Sequence, residues 1–174
     1  GCGTGIELNY IWEKAPNAHI TCIDLSRKML NILLEHHQDK VEQITAIQAS
    51  YLSWEYPEST FDMVVSSMTM HHFWQDEKVE IYKKIYSTLR EGGVYIESDF
   101  IVDAPLAEQY SRRYKKILAH VSTKVSPGEY HIDIPLTVNE QTGLLCDAGF
   151  SEVKVLDKCI NHGRGAILRA IKSR

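Results

Sequence analysis

Gly1, Gly3 and Gly5 alternate with other residues in GCGTG, followed by a stretch with helical periodicity. A side chain at such a turn would collide with a bound molecule, so glycine lets backbone groups approach a ligand closely. The start of the following helix adds N–H donors that have no partner within the helix. Asp24 stands nineteen residues after Gly5, at the end of the apolar run AHITCID. A carboxylate at the tip of the next strand can accept hydrogen bonds from both hydroxyls of a ribose. Each feature also has a plain reading, a tight turn for the glycines and a helix cap for Asp24. At this spacing the two together point to an adenosine-containing ligand.

A second group of polar residues follows the apolar run FDMVVSS, which ends in Ser66 and Ser67 and continues as MTMHHF. His71 and His72 are candidate general bases, together with His131, for an acceptor that must lose a proton. The plain reading of His71 is a structural histidine hydrogen-bonded near the end of a strand. Adjacent histidines usually diverge, and no carboxylate or cysteine lies at ligand spacing from them, so no metal site is expected. Cys2, Cys22, Cys146 and Cys159 are widely spaced with no CxxC pair. They read as reduced thiols, which places the protein in the cytoplasm.

These residues need a framework, and the hydrophobic pattern supplies one. Short apolar runs alternate with helical periodicity, the signature of an α/β domain with a mostly parallel sheet. The spacing predicts helices over 6–14, from Ser26 onward with Met29, Leu30, Leu33 and Leu34 as a buried stripe, and from Asp76 to about Arg90. Strands are expected at 18–24, 44–49, 61–67 and 94–100. The run 61–67 is apolar enough to be buried on both faces of a central strand. A further helix covers 105–123, and Thr137 with Glu140 forms a capping box for one ending at Gly149. Residues 151–157 and 166–171 read as an antiparallel hairpin turning near His162 and Gly163.

The chain has 174 residues, 44% of them hydrophobic and 24% charged, with a net charge of -4. That length suits one domain with one core. The charge gives no global case for binding nucleic acid, and no apolar run reaches the roughly 18 residues of a membrane helix. Segment 101–136 is locally basic through Arg112, Arg113, Lys115, Lys116 and Lys124, and aromatic through Tyr110, Tyr114 and Tyr130. It reads as a helical lid where an acceptor is recognised; the plain reading is the solvated face of an amphipathic helix.

The turn and Asp24 fit a nicotinamide dinucleotide as well as S-adenosylmethionine. The glycines stop short of the GxGxxG form that seats a pyrophosphate. S-adenosylmethionine has no phosphate, and the closing hairpin is unusual for a dinucleotide domain. GCGTG, CIDLS, FDMVVSSMTMHHF and LREGGVYIESDF, in this order and spacing, resemble the successive motifs of class I (Rossmann-like) S-adenosylmethionine-dependent methyltransferases. LLCDAGFSEVKV resembles the helix and strand before that family's final hairpin. The resemblance is carried mainly by residues 1–100.

The resemblance implies a doubly wound, mostly parallel sheet with helices on both faces and a C-terminal antiparallel hairpin. It implies S-adenosyl-L-methionine as cofactor and S-adenosyl-L-homocysteine as product. Gly1, Gly3 and Gly5 would face the methionine end, Asp24 would hold the ribose and Leu25 would pack on the adenine. Ser50, with Tyr51 after it, stands where the family often has an acid for the adenine amino group. Ser66 and Ser67 would lie beside the methyl group, with His71 and His72 on the acceptor side. The family also has a helix and a central strand before the glycine turn. Residues 1–174 are therefore expected to be one methyltransferase domain lacking those elements, and to be unstable or unable to bind cofactor by themselves.

The leading reading is methyl transfer to a small-molecule acceptor, with no membrane or nucleic-acid partner and with a homodimer admitted. The strand end SSMTM is unlike the NPPY or DPPY signature of amino-methylases. The alternatives are a non-catalytic cofactor-binding or interaction protein of the same fold, and a nicotinamide-dependent oxidoreductase.

Overall fold

A computed structural model describes residues 1–120, 132–158 and 164–173. Lys124, Tyr130, His131, Cys159, His162 and Gly163 lie outside the described residues. The chain divides into two compact units, Gly1–Trp54 and Glu55–Arg174.

The first unit runs α1 (Leu8–Lys14), β1 (Ile20–Asp24), α2 (Arg27–His36), a 3-10 turn (Gln38–Gln43) and β2 (Ile44–Gln48). The strands β1 and β2 pair in parallel, from Ile20 opposite Ile44 to Asp24 opposite Gln48. Ser26 caps α2, its hydroxyl accepting from the Met29 N–H at 3.4 Å. Leu30 and Leu33 are fully buried, while Met29, expected in the same stripe, is 41% exposed. Leu8, Trp12, Cys22 and Leu33 form the core, flanked by Ile11, Ile20 and Ile44.

Gly5 ties this core to the turn. Its φ of +71° lies in the left-handed region, and a Cβ there would come within 2.8 Å of Leu33 Cγ and 3.0 Å of Leu8 Cδ1. Gly5→Ala combines backbone strain of about 1–2 kcal/mol with overpacking of about 1–3 kcal/mol. The variant is expected to lose about 2–4 kcal/mol in urea unfolding, and a loss under 1 kcal/mol would contradict this packing.

The second unit runs β3 (Phe61–Ser67), α3 (Gln75–Thr88), β4 (Leu89–Asp99), α4 (Ala104–His120), α5 (Val138–Asp147), β5 (Glu152–Asp157) and β6 (Ala166–Ile171). Its sheet has the order β3-β4-β6-β5. The pair β3–β4 is parallel, while β6 runs antiparallel to both β4 and β5. The protein is thus α/β with parallel pairs and a C-terminal antiparallel hairpin, as expected.

Three local expectations change. The strand β3 is not buried on both faces: Met63 and Val65 are 54% and 42% exposed. It is an edge strand of its sheet, paired among the described residues with β4 only. The helix α3 begins at Gln75, and Glu77 rather than Asp76 closes its start, accepting from the Trp74 N–H at 3.0 Å. It ends at Thr88 rather than about Arg90, and β4 begins at Leu89 rather than Val94. There the ladder skips from Phe61 opposite Leu89 to Met63 opposite Val94. Lys172 anchors the skipped stretch, accepting from Gly92 N–H and donating to the Gly93 carbonyl. The capping box at α5 forms as read, with Thr137 N–H donating to Glu140 Oε2 at 2.8 Å.

Candidate active site

Each group of site residues follows from where a parallel strand ends. In the first unit, β1 ends at Asp24 and β2 at Gln48, directly opposite. The Gly1 and Cys2 nitrogens donate to the Ile23 carbonyl at 2.7 and 3.0 Å, holding the turn against the end of β1. Asp24 Oδ2 accepts from the Gly3 N–H, and Oδ1 from the Ser26 N–H, both at 2.8 Å. A carboxylate has about four acceptor positions. Two are filled, so each oxygen keeps a lone pair for a ribose hydroxyl. Asp24 thus anchors the turn and keeps acceptor capacity, while the cap of α2 is Ser26 and not Asp24.

Gly3 has φ +52°, and nothing lies within 4 Å of where its Cβ would be. The turn is left-handed and faces open space, as a ligand cradle requires. Leu25, beside Asp24, is 59% exposed, an apolar surface of the kind an adenine ring covers. Ala49 N–H donates to the Asp24 carbonyl at 3.1 Å and brings the next residue, Ser50, to the same end. The Ser50 hydroxyl accepts from the Leu52 N–H at 3.3 Å, and its carbonyl closes a turn on Ser53 and Trp54. So Gly1, Gly3, Gly5, Asp24, Leu25, Ser50 and Tyr51 fall in the first unit. The acceptor capacity of Asp24 and the exposed Leu25 fit a ribose and an adenine.

In the second unit, Ser66 and Ser67 sit opposite Glu97 and Ser98 at the ends of β3 and β4. Met68 turns the chain at φ +49°, its N–H held by the Ser98 carbonyl at 2.8 Å. A 3-10 turn, Met70–His72, then presents both histidines. His71 is buried, and its Nδ1 lies 2.5 Å from Oδ1 of the equally buried Asp99. The carboxylate accepts, so this contact places a proton on Nδ1. The ring is fixed by Asp99 and by an edge contact with Phe100 at 5.8 Å.

Two features here were not anticipated. One is Asp133, whose Oδ1 lies 3.6 Å from both His71 Nε2 and His72 Nδ1. It comes from a segment 61 positions beyond His72, so no sequence spacing could reveal it. The other is a buried network on alternate residues of β4. Glu97 Oε2 accepts from the Tyr82 and Tyr95 hydroxyls at 2.7 and 2.8 Å. Glu97 Oε1 accepts from Gln141 Nε2 at 2.6 Å, and Gln141 Oε1 accepts from Lys78 Nζ at 3.2 Å. The Tyr95 hydroxyl also meets Ser66 Oγ at 2.7 Å, linking the network to the end of β3. Burial pushes the Glu97 carboxyl above its ordinary range, with the nearby Asp99 charge adding to it. Burial lowers Lys78, which the acidic groups partly counter. Tyr95, Glu97 and Asp99 alternate within a run that otherwise reads as core. Polar residues at every second position of an apolar strand were the available signal.

A cleft of about 310 Å³ lies between the start of α3, the first half of α4 and residues 134–137. Trp74, Ala107, Ser111, Ile134, Leu136 and Glu140 are among its walls. Trp74 stacks on Tyr114 at 5.1 Å, and Lys115 lies over the Trp74 ring at 5.9 Å. Arg112 is spent on an exposed pair with Glu108 one turn before it. Of segment 101–136, α4 and residues 132–136 line this side of the unit.

The parallel strands, a glycine turn at the end of β1 and an acid closing on it define an α/β protein built for an adenosine-type cofactor. A family model described as a methyltransferase domain matches residues 1–93. The chain belongs to that family, the class I S-adenosyl-L-methionine-dependent methyltransferases. It is similar to a carboxy-S-adenosyl-L-methionine synthase of Helicobacter hepaticus, at 27% identity over 150 residues. That match takes in 81% of this chain and 62% of the relative, so this chain spans under two thirds of the relative's length. A solved structure from Bordetella parapertussis superposes with a TM-score of 0.75 at 17% identity, covering 99% of this chain and 60% of that one. Human N-acetylserotonin methyltransferase, solved in complex with S-adenosylmethionine, gives 0.70 at 19% identity, covering 100% of this chain and 46% of that one. These two likenesses concern the fold. Among the described residues, no helix is long and apolar enough to cross a membrane.

Proposed function

We propose that the chain forms the cofactor-binding body of a methyltransferase that transfers the methyl group of S-adenosyl-L-methionine to a small-molecule acceptor. The observation that carries this reading is the Asp24 carboxylate, bound to Gly3 and Ser26 N–H groups with acceptor capacity to spare. Asp24 would hold the ribose, Leu25 the adenine, and the backbone of Gly1, Gly3 and Gly5 the methionine end. Ser50 and Tyr51 would edge the adenine, and Ser66 and Ser67 would line the methyl group. The bound cofactor supplies an already activated methyl group. The remaining work of the protein is to hold the acceptor in line at about 3 Å and to exclude water.

On the acceptor side, His71 and His72 are the residues placed to act. Asp99 holds the His71 ring through Nδ1, which leaves Nε2 as the nitrogen to accept a proton from an acceptor that must lose one. The cleft between α3 and α4 falls at the small end of ligand pockets, about 300–1,000 Å³, which favours a small acceptor. A cytoplasmic location and a homodimer belong to this reading as well.

Calorimetric titration tests it. S-adenosyl-L-homocysteine should bind the intact protein, not residues 1–174 alone, with one site per chain, and NAD should not. Binding of NAD alone would replace this reading with the oxidoreductase, and binding of neither would leave a non-catalytic protein of the same fold. A second reading comes from the Helicobacter hepaticus relative, whose name makes carboxy-S-adenosyl-L-methionine its product. Mass analysis of the nucleoside product separates the two. Carboxy-S-adenosyl-L-methionine would support the second reading, and S-adenosyl-L-homocysteine with a methylated acceptor the first.

A further inference from the structure

We infer that His71 Nε2, His72 Nδ1 and the Asp133 carboxylate form a binding site for a divalent first-row transition metal, with Asp99 orienting His71 from behind. The inference goes beyond methyl transfer and does not depend on it. One donor atom from each of these three residues lies within 4.8 Å of the other two. Ligands about 2.0–2.2 Å from a common metal stand about 3.0–3.5 Å apart in tetrahedral or octahedral arrangements. Asp133 Oδ1 is 3.6 Å from each histidine nitrogen. That is too long for a hydrogen bond to either ring and close to the separation a shared cation imposes.

Neighbouring histidines usually diverge, and this was the reason for expecting no metal. The 3-10 turn Met70–His72 overrides it by placing the two ring centroids 4.0 Å apart, with one nitrogen of each toward Asp133. The chain just after Asp133 is held against the His71 turn and against Val102. Ile134 N–H donates to the His71 carbonyl at 2.6 Å, and Val102 N–H to the Leu136 carbonyl at 3.1 Å.

The atoms behind the site complete the case. The contact of Asp99 Oδ1 with His71 Nδ1 is the carboxylate–histidine pairing that orients metal-bound imidazoles and raises their basicity. Asp99 Oδ2 is buried and has no hydrogen-bond partner among the described residues. A buried carboxylate satisfied on one oxygen only is costly, and a dication on the far side of His71 would offset its charge. Two imidazoles and a carboxylate favour Zn²⁺, Mn²⁺, Fe²⁺ or Co²⁺ over Mg²⁺ or Ca²⁺. Three protein ligands leave at least one position for water or an acceptor oxygen. Metal binding and proton acceptance exclude one another at His71 Nε2.

The test is competition of the purified, chelator-treated protein with a chromophoric chelator for Zn²⁺, and titration with Co²⁺ as an optical probe. One Zn²⁺ per chain is expected, with a Co²⁺ spectrum lacking a thiolate band. Asp133→Asn and His72→Asn should each weaken Zn²⁺ binding at least 10-fold. Asp99→Asn should weaken it about 10- to 100-fold, as loss of an orienting partner does. Asp133 is nearly half exposed in its side chain, so its variant should melt like the parent in the presence of chelator. Parent protein that binds no stoichiometric Zn²⁺ or Co²⁺ would overturn the site. So would Zn²⁺ affinity that survives both Asp133→Asn and His72→Asn, because the groups would then form only a histidine–aspartate cluster.

Discussion

Glu97→Ala is expected to lower the unfolding free energy by about 3–5 kcal/mol, the range for removing one member of a buried polar network. Glu97 is fully buried and accepts hydrogen bonds from Tyr82, Tyr95 and Gln141. Without it, Tyr82 loses its acceptor and Gln141 loses one of two, since its Nε2 also donates to the Tyr82 hydroxyl; a buried group left unsatisfied costs about 1–3 kcal/mol. Tyr95 keeps its contact with Ser66, so its loss is smaller. The alanine also leaves a cavity behind the sheet. Urea unfolding of parent and variant measures the difference, and a loss under 1 kcal/mol would show that the network contributes little.

The same residue sets a pH signature. The folded carboxyl is raised above its ordinary 4.5. In the window between 4.5 and the raised value, the folded state holds a proton that the unfolded chain has released. The corresponding stability is fully present below 4.5 and is lost as pH rises through the raised value. Glu97→Gln keeps the shape and removes the titration. The stability of the parent minus that of Glu97→Gln should therefore fall as pH rises through this window. Lys78, lowered by burial, titrates with the opposite sign toward alkaline pH, but it is present in both proteins and largely cancels in the difference. A difference that is flat, or that grows with pH, would contradict the raised carboxyl.

Asp24→Ala is expected to produce the largest loss of cofactor affinity. Hydrogen bonds to a charged group are worth about 1.5–3 kcal/mol, which corresponds to roughly 10- to 150-fold in Kd for S-adenosyl-L-homocysteine. The carboxylate also holds Gly3 N–H and Ser26 N–H, so part of the loss would come from a loosened turn. Asp24→Asn separates these contributions. Its amide retains one acceptor oxygen and the shape of the side chain but loses the charge and the second acceptor. It should fall between parent and alanine in affinity, with a melting temperature closer to the parent. Unchanged affinity in both variants would remove Asp24 from the ribose site.

The pattern of what was legible follows from the range of the interactions. Strand and helix identity depend on local periodicity, so β1, β2, the hairpin of β5 and β6, and the caps at Ser26 and Thr137 could be read in advance. The start of α3 and the start of β4 were displaced because distant contacts decide them, the Glu77 side chain reaching back to Trp74 and the Lys172 backbone pairing with Gly92 and Gly93. The exposure of Met63 and Val65 was missed because an apolar strand looks the same whether its neighbours cover one face or two.

The site divides in the same way. Gly1, Gly3, Gly5 and Asp24 lie within one strand–helix–strand unit, where chain connectivity brings a turn and the next strand tip together. Their types and spacing therefore sufficed to place the turn and the acid side by side. Tertiary structure decided which lone pairs of Asp24 are already taken. It also aimed His71 and His72 in one direction, set Asp99 behind the first and carried Asp133 to both. Those relations join residues tens of positions apart through backbone bonds such as Ile134 to the His71 carbonyl. No local pattern encodes them, because their energy appears only once the sheet and its following loops have packed.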